Sequence, residues 1–393
     1  MIKRIIPFLT IIAMMGCKTN NGINDYFGQS EPETTPIVFG ADSISLKGRF
    51  EHGISFTPDA RELAFGILGG NAVKGKIYYS KKIDGQWATP KDFNPLKNES
   101  VFLPYFTPDG KSLLYTQSIP DTDQLYITDI WKLDKINGDW DFPKKIPTPL
   151  SSKTREATAS MTYDGTIYFS SNRNCQGKEN CYTADLFYSK LVDNEYQNVK
   201  EISKLNSSND EESVFISPKE EYILFCRYTD NETFVDLYIS YRDHNNHWTE
   251  PQLLDATINS KDWDRRPFVS IDNKFLFFTR LEIEENKLTE SDIYWVNTTK
   301  VFKPFVNHPI PDITLQVDEK FEVQIPADYF KDIDDNQLTL TINQNEFNWL
   351  EFDGKKMKLS GLPTLEGNFE LIFTAVDQFS NRTRNSIKVT VKK

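Results

Sequence analysis

Residues 54–67 read ISFTPDARELAFGI, and the phrase returns as PYFTPDGKSLLYT (104–116), ASMTYDGTIYFSS (159–171), VFISPKEEYILFC (214–226) and PFVSIDNKFLFFT (267–279). Each copy is an apolar run, a Ser/Thr-Pro-Asp-Gly type turn and a second apolar run. Anchored on the middle turn residues Pro58, Pro108, Tyr163, Pro218 and Ile271, the copies stand 50, 55, 55 and 53 residues apart. Proline fixes φ at the first corner and Asp-Gly tolerates a tight reversal, so each phrase is expected to be a β-hairpin. Its regular return marks a structural repeat.

A third strand follows each hairpin, as KIYYS (76–80), DIWKL (129–133), DLFYS (185–189), DLYIS (236–240) and DIYWV (292–296). A fourth is introduced by GQWATP, GDWDFP, NEYQNV and NHWTEP in the first four copies, whereas the fifth has only KVFKPF. Four strands per unit of about fifty residues is the pattern of a β-propeller blade. The stretch TPIVFGADSIS (35–45) precedes the first copy without a partner, and is expected to supply the outer strand of the last blade and close the ring. The span 36–305 divides into five units of 54 residues, in step with the observed spacing, whereas six would need 45 each and an unseen sixth copy. The expected architecture is therefore all-β: a five-bladed β-propeller, with six blades as the alternative, followed by a small β-sandwich. The turns FTPDG and FTPDA, with D-[IL]-[YFW] and W-x-x-P after them, resemble the WD-like propeller repeats of bacterial envelope proteins related to TolB.

After Asn307 the propeller turn disappears, and residues 306–393 show alternating apolar positions with Pro-marked boundaries. The stretches PADYFKDIDDNQLTLTI, NWLEFDGKKMKLSGLP and NFELIFTAVDQFSNRTRNSIKVTV resemble a bacterial cadherin-like or immunoglobulin-like module. The resemblance implies a β-sandwich. Asp332, Asp334 and Asp335 crowd one turn, and Asp377 lies where such modules bring a second strand to the same end. Hard oxygen ligands grouped in this way suit Ca²⁺, and three aspartates also serve as solvated turn formers. No other cofactor is expected.

The N-terminus has Lys3 and Arg4, an apolar run over 5–15, then Gly16 and Cys17. About a dozen apolar residues are too few to span a bilayer as a helix but fit a secretory signal. The segment Ala13-Met14-Met15-Gly16-Cys17 resembles the lipobox of bacterial lipoproteins. That resemblance implies a signal peptide over 1–16, lipidation of Cys17 and a polar tether over 17–35. Because Lys18 rather than Asp follows the cysteine, it also implies the outer membrane, with periplasmic or surface display. Cysteine use fits an oxidising compartment: Cys175 and Cys181 share one polar loop and are expected to form a disulfide, while Cys226 sits in an apolar run as a buried thiol.

The charge balance of the 393 residues, 45 Lys+Arg against 57 Asp+Glu, gives −12 and argues against nucleic acid or an anionic membrane surface as partner, leaving the lipid as the only membrane link. The aromatic share of 13% suits strands packed with rings. With four histidines and no G-x-S-x-G, H-E-x-x-H or phosphate-loop motif, the usual hydrolase and nucleotide signatures are missing. Seven residues before each anchor stand Glu51, Val101, Glu156, Glu211 and Asp264, a carboxylate in four units of five, expected to ring one mouth of the channel. Catalysis needs unlike environments for acid and base, while a repeated position supplies like ones, so these groups read as acceptors of backbone hydrogen bonds from a neighbouring blade. The repetition of Trp87, Trp140, Tyr196 and Trp248 likewise reads as packing between blades. Function is sought where the repeat breaks: His52, Glu212 and Arg265 occupy the next position, and Trp263 and Arg266 flank the last. An indole beside two guanidinium groups suits an acidic peptide, a uronic acid or a sugar ring. The expectation is a non-catalytic module that binds a protein or glycan of the cell envelope through one propeller face; the alternative is a glycoside-processing enzyme using channel-mouth carboxylates.

Overall fold

The recurring turn forms because its own side chains close it. Thr57, Thr107, Thr162 and Ser270 each donate a hydroxyl to the aspartate two residues on, and that carboxylate accepts a backbone N–H just beyond. In the fourth copy Lys219 replaces the aspartate, and Ser217 Oγ accepts the amides of Glu221 and Tyr222 instead.

The computed structural model describes residues 26–69, 75–96, 100–118, 127–176, 181, 183–229, 234–285, 287–335 and 337–393. The expected signal peptide, Cys17 and the expected tether as far as residue 25 lie outside the described residues. Each hairpin continues into a third antiparallel strand and a two-residue fourth. The first set is Phe50–Phe56, Glu62–Leu68, Gly75–Ile83 and Lys91–Asp92; the second is Val101–Phe106, Ser112–Ser118, Thr128–Ile136 and Lys144–Lys145. Glu156–Met161, Ile167–Ser171, Asp185–Ser189 and Lys200–Glu201 form the third, and Glu211–Ile216, Tyr222–Tyr228, Val235–Tyr241 and Gln252–Leu253 the fourth. The last set has Trp263–Val269, Phe275–Glu284 and Lys287–Asn297, and its outer strand comes from far upstream: Ile37 and Val38 pair with Trp295 and Tyr294. The first strands touch one another in cyclic order, the first against the last, which makes the arrangement a closed β-propeller.

Closure concentrates aromatic packing at the seam. Phe39 is fully buried against Phe56, Phe277 and Trp295, with Tyr26 edge-on to the same group. Trp140 reaches Tyr79 and Phe93 of the preceding unit, and Trp248 reaches Tyr168. Trp87 stacks on Phe27, and Tyr196 packs against the main core.

Downstream lie two further sheets. One runs Ile313–Gln316, Arg382–Lys392, Gly367–Val376, Thr339–Ile342, and the other Phe321–Gln324, Lys358–Gly361, Leu350–Asp353. A separate core that includes Tyr329, Trp349, Leu359, Phe373 and Val389 belongs to this part of the chain. It docks on the propeller through Tyr241 stacked on Phe305 at 4.4 Å, His244 stacked on His308 at 3.8 Å, and Asn381 Nδ2 donating to Thr299 O.

Candidate functional site

The four repeated carboxylates do not ring an open mouth: Glu51, Glu156, Glu211 and Asp264 are completely buried. Each is closed by the loop that leads into its strand and by an arginine. Ser152, Ser207 and Ser260 lie four residues upstream and donate both backbone N–H and hydroxyl to Glu156, Glu211 and Asp264. Arg227 and Arg280, on the second strand of their units, and Arg173, in the short turn just after its second strand, hold the same carboxylates at 2.7, 2.8 and 3.2 Å. Each of these guanidinium groups also lies over two aromatic rings of its own sheet and donates to a carbonyl of the incoming loop. The donors are thus the entry loop and the unit's own arginine, not a neighbouring blade's strand. Glu51 is held by Arg49 at 2.5 Å and the Leu46 amide; with Lys47 in place of the serine, its Oε2 has no partner, and burial pushes its carboxyl up to about 7. The second unit has lost both halves together, with buried Val101 and Gln117 at the two positions. These groups fasten each loop to its sheet.

The first strands share a second device that no sequence motif announces. Gly53, Leu103, Thr158, Ser213 and Arg266 all have positive φ, between 53° and 73°, and each sits where the register to the second strand shifts. Such bulges turn side chains off the normal alternation and recur beside functional sites. Here all five residues line a central cavity of about 40 Å³. Gly66 supports the first bulge, since a Cβ there would meet His52 O at 2.5 Å.

Above that cavity, at the end where the first strands begin, His52, Glu212, Trp263, Arg265 and Arg266 come together. Arg155, Asp210 and Tyr228, which sequence reasoning missed, complete the cluster. Arg155 and Asp210 occupy the position of Trp263 in the two preceding units, one place outside the strand positions compared in the sequence. Glu212 is 2% exposed and accepts from Arg155 at one oxygen and from Arg265 at the other, with Arg266 at 3.5 Å. Arg266 also donates to Ser213 Oγ at 2.8 Å and, through Nε, to His52 Nε2 at 3.0 Å. Arg265 lies 5.3 Å from the Tyr228 ring and 5.9 Å from that of Trp263.

The electrostatics of this cluster are unlike those of the repeated carboxylates. Burial would raise Glu212, but Arg155, Arg265 and Arg266 overcome it and hold the carboxyl well below its usual range. Burial and the neighbouring Glu212 charge push the half-buried Asp210 up to about 7. Burial and the two arginines keep His52 neutral, and burial with the adjacent Arg265 brings Arg266 down to about 10. Two buried nitrogens, His52 Nδ1 and Arg265 Nε, have no partner. Because His52 Nε2 accepts from Arg266, the ring's other nitrogen carries its proton, so both orphans are donors. Each unsatisfied donor costs about 1–3 kcal/mol.

With this geometry in hand, the chain can be set beside known proteins. Residues 300–392 match the family model of the alpha-dystroglycan third Ig-like domain. The propeller part resembles solved β-propeller structures. A GH43 endo-arabinanase from Bacillus licheniformis is 13% identical over 64% of this chain and 95% of its own, with a TM-score of 0.41. The catalytic domain of a Coprinopsis cinerea GH62 alpha-L-arabinofuranosidase is 8% identical over 68% and 98%, at 0.43. A Mycobacterium tuberculosis puromycin-hydrolyzing peptidase is 10% identical over 68% and 37%, at 0.34. At these identities and TM-scores the likeness assigns neither a substrate nor a catalytic residue to this chain. No curated protein matches it in sequence.

The remaining candidate residues fall elsewhere. Cys175 and Cys181 are joined by a disulfide, and Cys226 is a buried free thiol. Asp335 is occupied by the amides of Gln337 and Gln378, and Asp377 by those of Phe379 and Asn381. Asp332 and Asp334 face each other, each with one buried oxygen unpartnered. Among the described residues no group of three or more His, Cys, Asp or Glu is placed to hold a metal. At the opposite end of the ring the hairpin turns surround an aromatic cavity of about 490 Å³, lined by Phe56, Tyr105, Phe215, Phe268 and Tyr26.

Proposed function

We propose that this chain processes a glycoside at the upper mouth of a five-bladed propeller, with Asp210 as the group that gives and takes the proton and Glu212 as the buried anion that tunes it. The observation that carries this reading is two carboxylates two residues apart in one unit with unlike surroundings: Glu212 is buried among Arg155, Arg265 and Arg266, while Asp210 is half-buried and accepts the Ala184 amide, and burial with the Glu212 charge pushes it up. Environments that drive two such groups apart are how a site divides acid from base. Trp263 and Tyr228 pack edge to face beside them, with Arg265 over both rings. The test is release of reducing ends from a panel of polysaccharides. Asp210→Asn is expected to lower turnover at least a hundredfold, the scale of a lost proton-transfer group, with the melting temperature kept. Glu212→Gln is expected to move the limb of the pH profile that reports Asp210 downward, since its charge adds to burial in lifting Asp210.

One observation favours a second reading, a non-catalytic module that binds a glycan or protein: both Glu212 oxygens are taken up by guanidinium groups. A wild-type protein that binds polysaccharide without cleaving any of the panel overturns the first reading and supports the second. We further propose a TolB-like lipoprotein: a signal peptide over 1–16, a lipid on Cys17, a tether over 17–35, the propeller over 36–305 and a β-sandwich over 306–393, anchored at the outer membrane. Replacing Cys17 by Ser is expected to move the protein from the membrane to the soluble fraction, and unchanged fractionation refutes the anchor.

A further inference from the structure

We propose that the glycan taken at the upper mouth is anionic, and that the carboxylate of a uronic acid residue is held among His52, Arg265 and Arg266. The sugar half of this inference rests on the glycan reading above; the charge half does not. Three guanidinium groups converge on one carboxylate, so the cluster carries positive charge in excess of its own counter-ion. The two buried side-chain atoms in it without a partner are both donors, His52 Nδ1–H and Arg265 Nε–H, on residues that are 5% and 8% exposed. Buried charge is retained where a partner compensates it, and an arginine fork matches a carboxylate in shape as well as sign. A neutral sugar would supply acceptors without the charge. A carboxylate supplies both.

Arg266 is suited to this task by its backbone. It stands at the positive-φ position of the bulge, with φ of 56°, so its side chain leaves the strand toward the axis, where Ser213 and His52 fix it. The equivalent residues Leu103 and Thr158 carry no charge, so the preference belongs to one side of the mouth.

The test is calorimetric titration of the full chain with galacturonate and glucuronate, each as mono- and trisaccharide, against their methyl esters and against hexaglutamate. At least tenfold tighter binding of a uronate than of its ester, weakened by salt, is the expected result, and Arg266→Gln is expected to erase the difference. The comparison of acid with ester uses the wild-type protein, so it stands even if that variant does not fold. Equal affinity for acid and ester overturns the charge assignment and leaves the glycan reading intact. Binding of hexaglutamate without either uronate overturns the sugar assignment and the glycoside reading with it. Failure of all the acids to bind overturns the inference.

Discussion

At the scale of single residues, the molecule uses carboxylates in two opposite ways. In four units a buried acid ties an incoming loop to its sheet, with an arginine stacked on rings as the counter-charge. Arg227→Ala would leave Glu211 buried with only Ser207 as a donor, and breaking a buried pair from one side costs about 3–5 kcal/mol. Urea denaturation should show a loss of that order, and a change under about 1 kcal/mol would mean the clasp is not structural. The acids of these clasps could be read from the repeat; their arginines could not. Arg173, Arg227 and Arg280 lie past the apolar run in which the repeat is recognisable, and the first unit moves its arginine to position 49, before the strand. Asp210 and Arg155 stand one residue before the repeated carboxylate, where the copies no longer resemble one another.

The strands and turns show where local chemistry suffices and where it does not. The hairpins were legible because a hydroxyl and an aspartate close four of the five turns from within, and proline sets the first corner in three. The fourth position of the turn has positive φ in every copy, occupied by Ala60, Gly110, Gly165, Glu220 and Asn273. At Gly110 φ is 68° and an added Cβ would come within 3.2 Å of Pro58 in the neighbouring turn. Gly110→Ala should therefore cost about 1–2 kcal/mol, the penalty of a left-handed L-residue, read as a lower midpoint at unchanged slope in urea. A neutral result would show that the turn relaxes away from that geometry. The bulges of the first strands left no such trace, because their positive-φ site holds five different residues and only Gly53 is permissive. What the bulge sites share is their place, since all of them line one central cavity of the closed ring. That feature is tertiary and has no residue signature.

In the whole molecule the two ends of the ring differ. Tyr26, the first described residue, packs into the aromatic end beside the hairpin turns, and the charged cluster lies at the other. The second domain is docked along the side, with Ile333 packed against the propeller core and the Asp332–Asp334 pair beside it. Burial, and the hydrogen bond and charge of Asp334, push Asp332 up to about 8. An unfolded aspartate titrates near 4, so between about pH 4 and 8 the folded chain keeps a proton that the unfolded chain has released. The sign follows: stability is greatest below that window, declines as pH rises through it by at most about 1.4 kcal/mol per unit, and is flat above. Ionising the pair puts two carboxylates against each other in the docked face, so the loss should appear as a loosened second domain. Scanning calorimetry of the full chain at pH 5 and pH 9 is expected to show one cooperative transition at the lower pH and an earlier-melting shoulder at the higher. Asp332→Asn cannot ionise and should remove the shoulder while leaving any slope that Glu51 and Asp210 contribute. If the variant and the wild type lose stability equally between the two pH values, the aspartate pair does not couple the domains.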